Sequence, residues 1–373
     1  MNASAGNPAL VNIPDLQQFA ELAGRVFASG RLTNNGDLAR ELEQRLARYL
    51  GVPYLALTSS GTLALQIAYQ ALQLTGDVLT TPFSWTTTVS SLTWLGLRPR
   101  FADIDPRTFN IDPRQIEAQL TPGTSAILAV HAFGNPCEID AIEAIAARHG
   151  LLTVYDAAHA FGARYRGRSV FSQGDASVLS LNATKLFHTV EGGAVILRSR
   201  DAYERACMAV NNGMDASGQI RLAGVNGRLS ELHAAVGLCL FDSVESVLSH
   251  RARIANALRI QLGASSAVEL QSLNPLAQAN HAYFPVVFPT PQECARAITA
   301  LAQQGFATRR YFDFPLNRLP FVEDRIPMPV AESLSERIVC LLLRFDASLT
   351  EAETIGRIVG SVCPTVARLS AAA

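Results

Sequence analysis

The stretch LNATKLFHTVEGGAV, residues Leu181–Val195, holds the feature on which the reading of this chain turns. Of 31 basic side chains, 30 are arginine and one is lysine, and that one is Lys185. A chain that meets nearly every demand for positive charge with guanidinium keeps a primary amine where guanidinium fails. Arginine is effectively never deprotonated, whereas the lysine amine, with a reference pKa of about 10.4, is brought down by burial and neighbours into a nucleophile. Schiff-base chemistry with a carbonyl cofactor is one such use. A lysine that merely sits in solvent is the other reading, and Lys185 alone does not choose between them.

Working outward, short apolar or β-branched runs alternate with helical patterns up to about residue 200: YLALTS, DVLTTPF, RPRFADI, SAILAVHAF, LLTVYDA, ASVLSL and GAVILRS. Between them LALQIAYQALQL places Ala64, Ile67, Ala68, Ala71 and Leu72 at the i, i+3, i+4, i+7, i+8 spacing of one buried helix face. This alternation predicts an α/β domain with a mainly parallel sheet, helices on both faces, and ligands at the carboxyl ends of the strands. After Ser230 the pattern changes to long helices, then to a smaller α+β region with a strand at AYFPVVF, a helix at PQECARAITALAQQG and a Pro-rich loop from Pro315 to Pro329. We therefore expect a large domain over residues 1–240 and a small C-terminal α+β domain over 241–373.

At 373 residues, 49% hydrophobic and 17% charged, the chain can bury a large core, and no low-complexity tract or repeat interrupts it. A net charge of -1, with no basic run interleaved with aromatics, argues against nucleic acid or an anionic membrane as partner and leaves self-association open. Six scattered cysteines, Cys137, Cys207, Cys239, Cys294, Cys340 and Cys363, lack the close pairs of a metal or redox site and read as reduced thiols. No metal site is expected. The N-terminus has no signal-like h-region and no stretch reaches membrane-spanning length, so the expectation is a cytoplasmic protein with a short frayed tail at RLSAAA.

Four constellations bear on Lys185. In LTSSGTLALQ, a strand runs into Ser60, Gly61 and Thr62 at a helix start, whose free N–H groups suit a phosphate, although the same residues make an ordinary helix cap. In LLTVYDAAHAFGA, Asp156 ends a strand, where it either keeps a pyridine nitrogen protonated or caps a helix. His159 beside it is either a core histidine or one lying against such a ring. Ser180 stands five residues before Lys185 and can offer its hydroxyl to the phosphate, and Gly192 and Gly193 permit a tight reversal into the next strand. Trp85 in TTPFSWTTT either stacks on a flat cofactor or is a buried core residue. His188 reads as structural.

Taken in order, Ser-Gly-Thr, PFSW, FADIDPRTFNID, AVHAFGNPCEID, DAAHAFGA, ATKLFHTVEGG and VNGRLSELHAAVG resemble the DegT/StrS-type nucleotide-sugar aminotransferases, pyridoxal-phosphate enzymes of fold type I. The match runs from SGRLTNNGDLARELEQRLARYLG to ATRRYFDFPL. The resemblance implies that Lys185 forms the Schiff base with pyridoxal phosphate and then moves the proton of the 1,3-shift, and that Asp156 pairs with the ring nitrogen. It further implies that His159 lies near the phenolic oxygen, that Trp85 stacks on the ring, and that Gly61, Thr62 and Ser180 bind the phosphate. Asn226 matches an asparagine that reaches the phosphate from the neighbouring subunit, so a homodimer with shared active sites is implied.

The implied reaction is ping-pong. L-Glutamate aminates the cofactor, and pyridoxamine phosphate passes the amine to a nucleotide-linked keto sugar. The wording ATKLFHTVEGG with DAAHAFG is similar to the subgroup acting on dTDP-keto-6-deoxyhexoses for O-antigen or other glycans, with amination at the 4-position expected. A 3-keto sugar, an 8-keto octulosonate, a dehydratase built on the same fold and a non-catalytic regulator are the alternatives. The chain departs from the family pattern at Gly227, often an aromatic, and at Asn317, usually a histidine, and both departures bear on substrate identity.

Overall fold

A computed structural model describes residues 12–263, 268–323, 325–344 and 346–362. Cys363, the closing RLSAAA and residues 1–11 lie outside the described residues. All seven apolar runs become strands of one sheet: β1 (Leu55–Thr58), β2 (Asp77–Thr80), β3 (Arg98–Phe101), β4 (Thr124–Val130) and β5 (Leu152–Asp156), followed after a small hairpin, β6 (Arg164–Tyr165) and β7 (Arg168–Ser169), by β8 (Ala176–Ser180) and β9 (Gly193–Leu197). The order is β1-β9-β8-β5-β4-β2-β3. β3, β2, β4, β5 and β8 run parallel, and β9 runs antiparallel to both its neighbours.

Strand side chains alternate between two separate cores, because successive Cβ atoms point to opposite sheet faces. On β4, Ile127 and Ala129 join one apolar cluster and Ala126 and Leu128 the other, and Leu179 and Val178 of β8 divide in the same way. Both faces are covered, as a mainly parallel sheet requires. The Gly61–Ala71 helix lies on the second face through Ala64, Ile67, Ala68 and Ala71, with Leu72 partly exposed at its end. Three alanines in that stripe keep its backbone close to the sheet, and Ser60 caps its start by accepting from the Leu63 N–H.

A second sheet follows in the order β10 (Glu269–Leu270), β12 (Phe284–Val287), β14 (Ile338–Leu341), β13 (Thr308–Arg309), and β11 (Ala277–Gln278) pairs back onto the β6–β7 hairpin. The Val244–Gly263 helix links the two cores. Val244 packs with the large-sheet cluster, and Ile254, Ala255, Leu258 and Leu262 pack with the small one. A carboxylate ties the two parts together where Asp103, just after β3, accepts from the N–H groups of Val330 and Ala331 at the start of the Pro329–Arg337 helix. No single helix among the described residues is long and apolar enough to cross a membrane.

One sequence expectation meets a different local structure. The reversal before β9 is made by Val190, whose φ is 68°, and not by the glycine pair. Gly192 and Gly193 are there for room: a Cβ on Gly193 would stand 2.6 Å from the Ser60 carbonyl carbon, and one on Gly192 2.3 Å from Thr189 Oγ1. The loop containing Trp85 leads directly into a Thr87–Trp94 helix, despite its run of threonines.

Glu231 makes a cap remote in sequence. Its carboxylate, 2% exposed, accepts from Leu38 N at 2.8 Å and Ala39 N at 3.1 Å, and occupies the space that a side chain on Gly36 would need. Replacing it by Ala orphans two buried donors at the start of the Asp37–Leu50 helix. We expect Glu231→Ala to lower unfolding free energy by about 2 kcal/mol or more. A urea midpoint unchanged from wild type would contradict this account.

Candidate active site

The carboxyl ends of β1, β5 and β8 converge on one cavity of about 380 Å³. Gly61, Thr62 and Ser180 line one side of it, and Trp85, Asp156, His159 and Lys185 line the rest. Seven of the eight residues picked out from the sequence are thus brought together. Asn226 is not among them: it is exposed outside its own chain's cavity, where its Oδ1 accepts from Arg228 Nη2 at 2.8 Å and its amide nitrogen has no partner among the described residues.

Lys185 sits on the loop that leaves β8 and returns into β9. The loop is closed at its root by bonds from Leu181 N to the Gly192 carbonyl and from Thr189 N to the Leu181 carbonyl, both 2.9 Å. Asn182 organises its tip, accepting from Thr184 Oγ1 and donating to Glu191, each at 2.8 Å. His188 has the structural role expected of it: one ring nitrogen meets the Asn12 carbonyl at 2.7 Å, and the other accepts from Val190 N. Lys185 Nζ has no hydrogen-bond partner among the described residues. Burial pushes its pKa down to about 8; the Asp156 carboxylate pulls against this, and the Arg309 guanidinium adds to it.

Asp156 is held from two sides, its Oδ1 accepting from Ala158 N at 3.1 Å and its Oδ2 from Thr88 Oγ1 at 2.9 Å. Thr88 is itself paired with Ser84 Oγ at 2.8 Å. Burial raises the Asp156 pKa, while those bonds and the Lys185 charge favour the anion. His159 lies nearly parallel to the Phe133 and Phe312 rings, which stack on each other at 5.4 Å, with centroids 6.3 and 6.0 Å from its own, and Asn280 holds its backbone carbonyl at 2.7 Å. Burial, helped by the Lys185 charge, keeps its imidazole well below the usual pKa, so it is neutral, and its buried Nδ1 has no partner. Trp85 is 52% exposed and meets Tyr311 edge-on, so it is a cavity wall and not a core residue.

The residues fit a phosphorylated pyridine aldehyde. Ser180 Oγ stands 3.1 Å from where a Gly61 Cβ would be, so that missing carbon opens a space between a helix N-terminus and a hydroxyl. Gly61 N–H and Thr62 N–H, the first donors of that helix, make no bond to the described residues. The orphaned His159 Nδ1, the carboxylate of Asp156 and a low-pKa amine supply a polar atom for each remaining function of such a molecule.

The two departures from the family pattern lie in packed surroundings. Gly227 is buried, and a Cβ there would come within 2.5 Å of Leu63 Cδ2; its carbonyl accepts from Ser59 N at 2.7 Å, bracing the turn into the Gly61–Ala71 helix. Asn317 does not reach the cavity. It is fully buried and donates to the Ile326 carbonyl and to Glu332, each at 2.8 Å. Sequence reasoning passed over Arg309, Tyr311 and Phe312, which line the cavity from the small sheet. The charged and aromatic run ATRRYF was the only available signal.

Because the chain has one lysine, reductive ¹³C-methylation of the cofactor-free protein labels one side-chain amine. Its resonance should titrate with a midpoint near 8, since burial disfavours the ammonium, and Asp156→Asn should move that midpoint lower by removing the charge that holds the proton. A wild-type midpoint near 10 would contradict the burial described here.

Comparison with known proteins follows the same lines. The chain is 37% identical over 346 residues to a dTDP-4-amino-4,6-dideoxy-D-glucose transaminase from Shigella dysenteriae, covering 90% of this chain and 93% of that one. It is 34% identical to the Escherichia coli protein of the same name, covering 90% and 92%. Among solved structures, DesI in the presence of its TDP-sugar product superposes with a TM-score of 0.89 at 33% identity, covering 94% of this chain and 91% of that one. The fold is thus that of the fold type I sugar aminotransferases. The model of the DegT/DnrJ/EryC1/StrS aminotransferase family matches residues 15–362, and the chain belongs to that family.

Proposed function

We propose that this enzyme transfers the amino group of L-glutamate to dTDP-4-keto-6-deoxyglucose, giving dTDP-4-amino-4,6-dideoxyglucose and 2-oxoglutarate, with pyridoxal phosphate as cofactor. The observation that carries the reading is a partly buried, unpartnered amine with its pKa brought down to about 8, in one cavity with a buried carboxylate and a helix N-terminus. The 4-position and the dTDP carrier rest on the names of the Shigella and E. coli relatives.

Pyridoxal phosphate, when bound, supplies an aldehyde and an electron-withdrawing ring. Gly61 N–H, Thr62 N–H and Ser180 Oγ would be the donors for its phosphate, Asp156 would hold the proton on its ring nitrogen, His159 would serve the phenolic oxygen, and Trp85 would cover the ring. Lys185 Nζ is the attacking nitrogen, because near neutral pH a pKa of about 8 leaves on the order of a tenth of it unprotonated, against under a thousandth for an ordinary lysine. With the cofactor bound, the same Nζ would be the group that takes up the proton of the donor's α-carbon and gives one back. Thr88 holds the Asp156 carboxylate in place and favours its anion.

Asn226, exposed and with a free amide, completes the phosphate site of a second copy in this reading, so the active unit is a homodimer with shared sites.

Protein loaded with pyridoxal phosphate should convert the 4-keto sugar and L-glutamate to a product carrying an amine, identified by mass and carbon shifts. Lys185→Ala should abolish turnover, and Asp156→Asn should lower kcat by about a hundredfold or more through loss of the ring proton. A product that has lost oxygen without gaining nitrogen would identify a dehydratase, and amination of only the 3-keto isomer would move the carbon. Asn226→Ala should weaken cofactor binding in a titration; undiminished affinity would remove the shared site.

A further inference from the structure

Next to the cavity is a recess of about 40 Å³ with Ala282 and two leucines in its walls and Thr184, Arg251, Tyr283, Arg309 and Arg344 as its polar lining. Thr184 and Arg309 line both spaces. Three arginines therefore line one small volume, and their counter-charges are unequal. Arg344 is neutralised by Asp346 at 2.8 Å and Glu351 at 3.2 Å. Arg251 and Arg309 have no carboxylate partner among the described residues. Arg251, 9% exposed, donates from Nη1 to the Ala282 carbonyl at 2.8 Å and has a buried Nε without a partner. Arg309 donates from Nη1 to the Tyr311 hydroxyl at 3.0 Å, and its charge reaches Lys185. The Tyr283 hydroxyl, on a side chain 8% exposed, is also unpaired.

Two uncompensated cations and an orphaned hydroxyl around one recess are costly in the empty protein, and an anion that accepts from all three offsets that cost. Its size selects the anion. At about 10–15 Å³ per water-sized centre, the recess takes about three heavy atoms, the number in a carboxylate. The diphosphate of a nucleotide sugar is several times larger, and the cofactor phosphate has its own cradle at Gly61 and Ser180. We propose that this recess holds a carboxylate of the amino donor, with Arg309 and Arg251 as its cationic walls and the Tyr283 hydroxyl as a further donor. This deepens the function proposed above and rests on the amino-donor half of that reaction alone.

Glutarate, a dicarboxylate with no amine to react, is the probe, titrated calorimetrically into the cofactor-loaded full chain alongside dTDP. Arg309→Gln should weaken glutarate binding tenfold or more, and Arg309→Lys should recover part of it. Tyr283→Phe should weaken it severalfold without lowering the melting temperature, since that hydroxyl serves no protein group. Affinity for dTDP should stay within twofold in all three. In turnover, Arg309→Gln should raise the KM for L-glutamate at least tenfold and leave that for the keto sugar within twofold. Glutarate affinity unchanged in both Arg309→Gln and Tyr283→Phe would overturn the proposal, as would a loss of dTDP affinity in place of glutarate affinity. Glutarate binding needs no turnover. The expected glutarate losses in a protein that aminates no nucleotide sugar would thus sink the proposed substrate and leave this inference standing.

Discussion

One primary amine kept from water, within electrostatic reach of one buried carboxylate, is the constraint around which the rest of this molecule is arranged. Neither charge is comfortable alone: burial pushes the Lys185 amine towards neutrality and the Asp156 carboxyl towards protonation, and each partly reverses the other's shift. Such a pair responds to any charge brought into the cavity, from a ring nitrogen or a substrate. The surrounding hydrogen bonds hold its geometry. Thr88 and Ala158 fix the carboxylate from opposite sides, and Asn280 clasps the His159 and Phe161 carbonyls so that the turn after β5 cannot relax.

Close approach is the second condition. The cradle at the start of the Gly61–Ala71 helix exists because two carbons are missing: one on Gly61, which lets Ser180 come alongside, and one on Gly193, which lets β9 pass against the Ser60 backbone. Neither glycine has a positive φ, so both are required for space rather than for an unusual backbone shape. Gly36 follows the same logic far from the chemistry, yielding its volume to the Glu231 carboxylate. In each case a small residue beside a polar group marks where two segments must nearly touch.

Much of this was legible in the chain. Six of the seven strands of the main sheet could be seen as apolar runs, because strands buried on both faces stand out against polar loops, while the edge strand β3, with Arg98 and Arg100, is only part-buried. The site residues at strand ends were visible for a related reason: Asp156 and Ser180 each end such a run, and Lys185 has no rival. What stayed hidden depended on distance in space. The two-residue strands β6, β7, β10, β11 and β13 are too short to show a period, and β14 was submerged in a longer apolar stretch, IVCLLL. Arg309 looked like one arginine among thirty, since nothing local says that β13 delivers it to the lysine loop. Gly192 and Gly193 were read as permitting a tight reversal because sequence shows a glycine's freedom but not the neighbour it makes room for.

β9 runs against its neighbours, and this changes what the lysine loop is. A chain leaving one parallel strand must cross the whole sheet before it can enter the next, usually by way of a helix. Here the chain departs from the end of β8 and re-enters at the adjoining end of β9, so both feet of the loop stand on the same rim as the phosphate cradle. The reactive nitrogen is carried on a short span pinned at its two ends, with no crossover whose length or tilt it must obey. The footings therefore fix where the loop delivers the amine, and Asn182, bonded to Thr184 and Glu191, holds the tip that carries it.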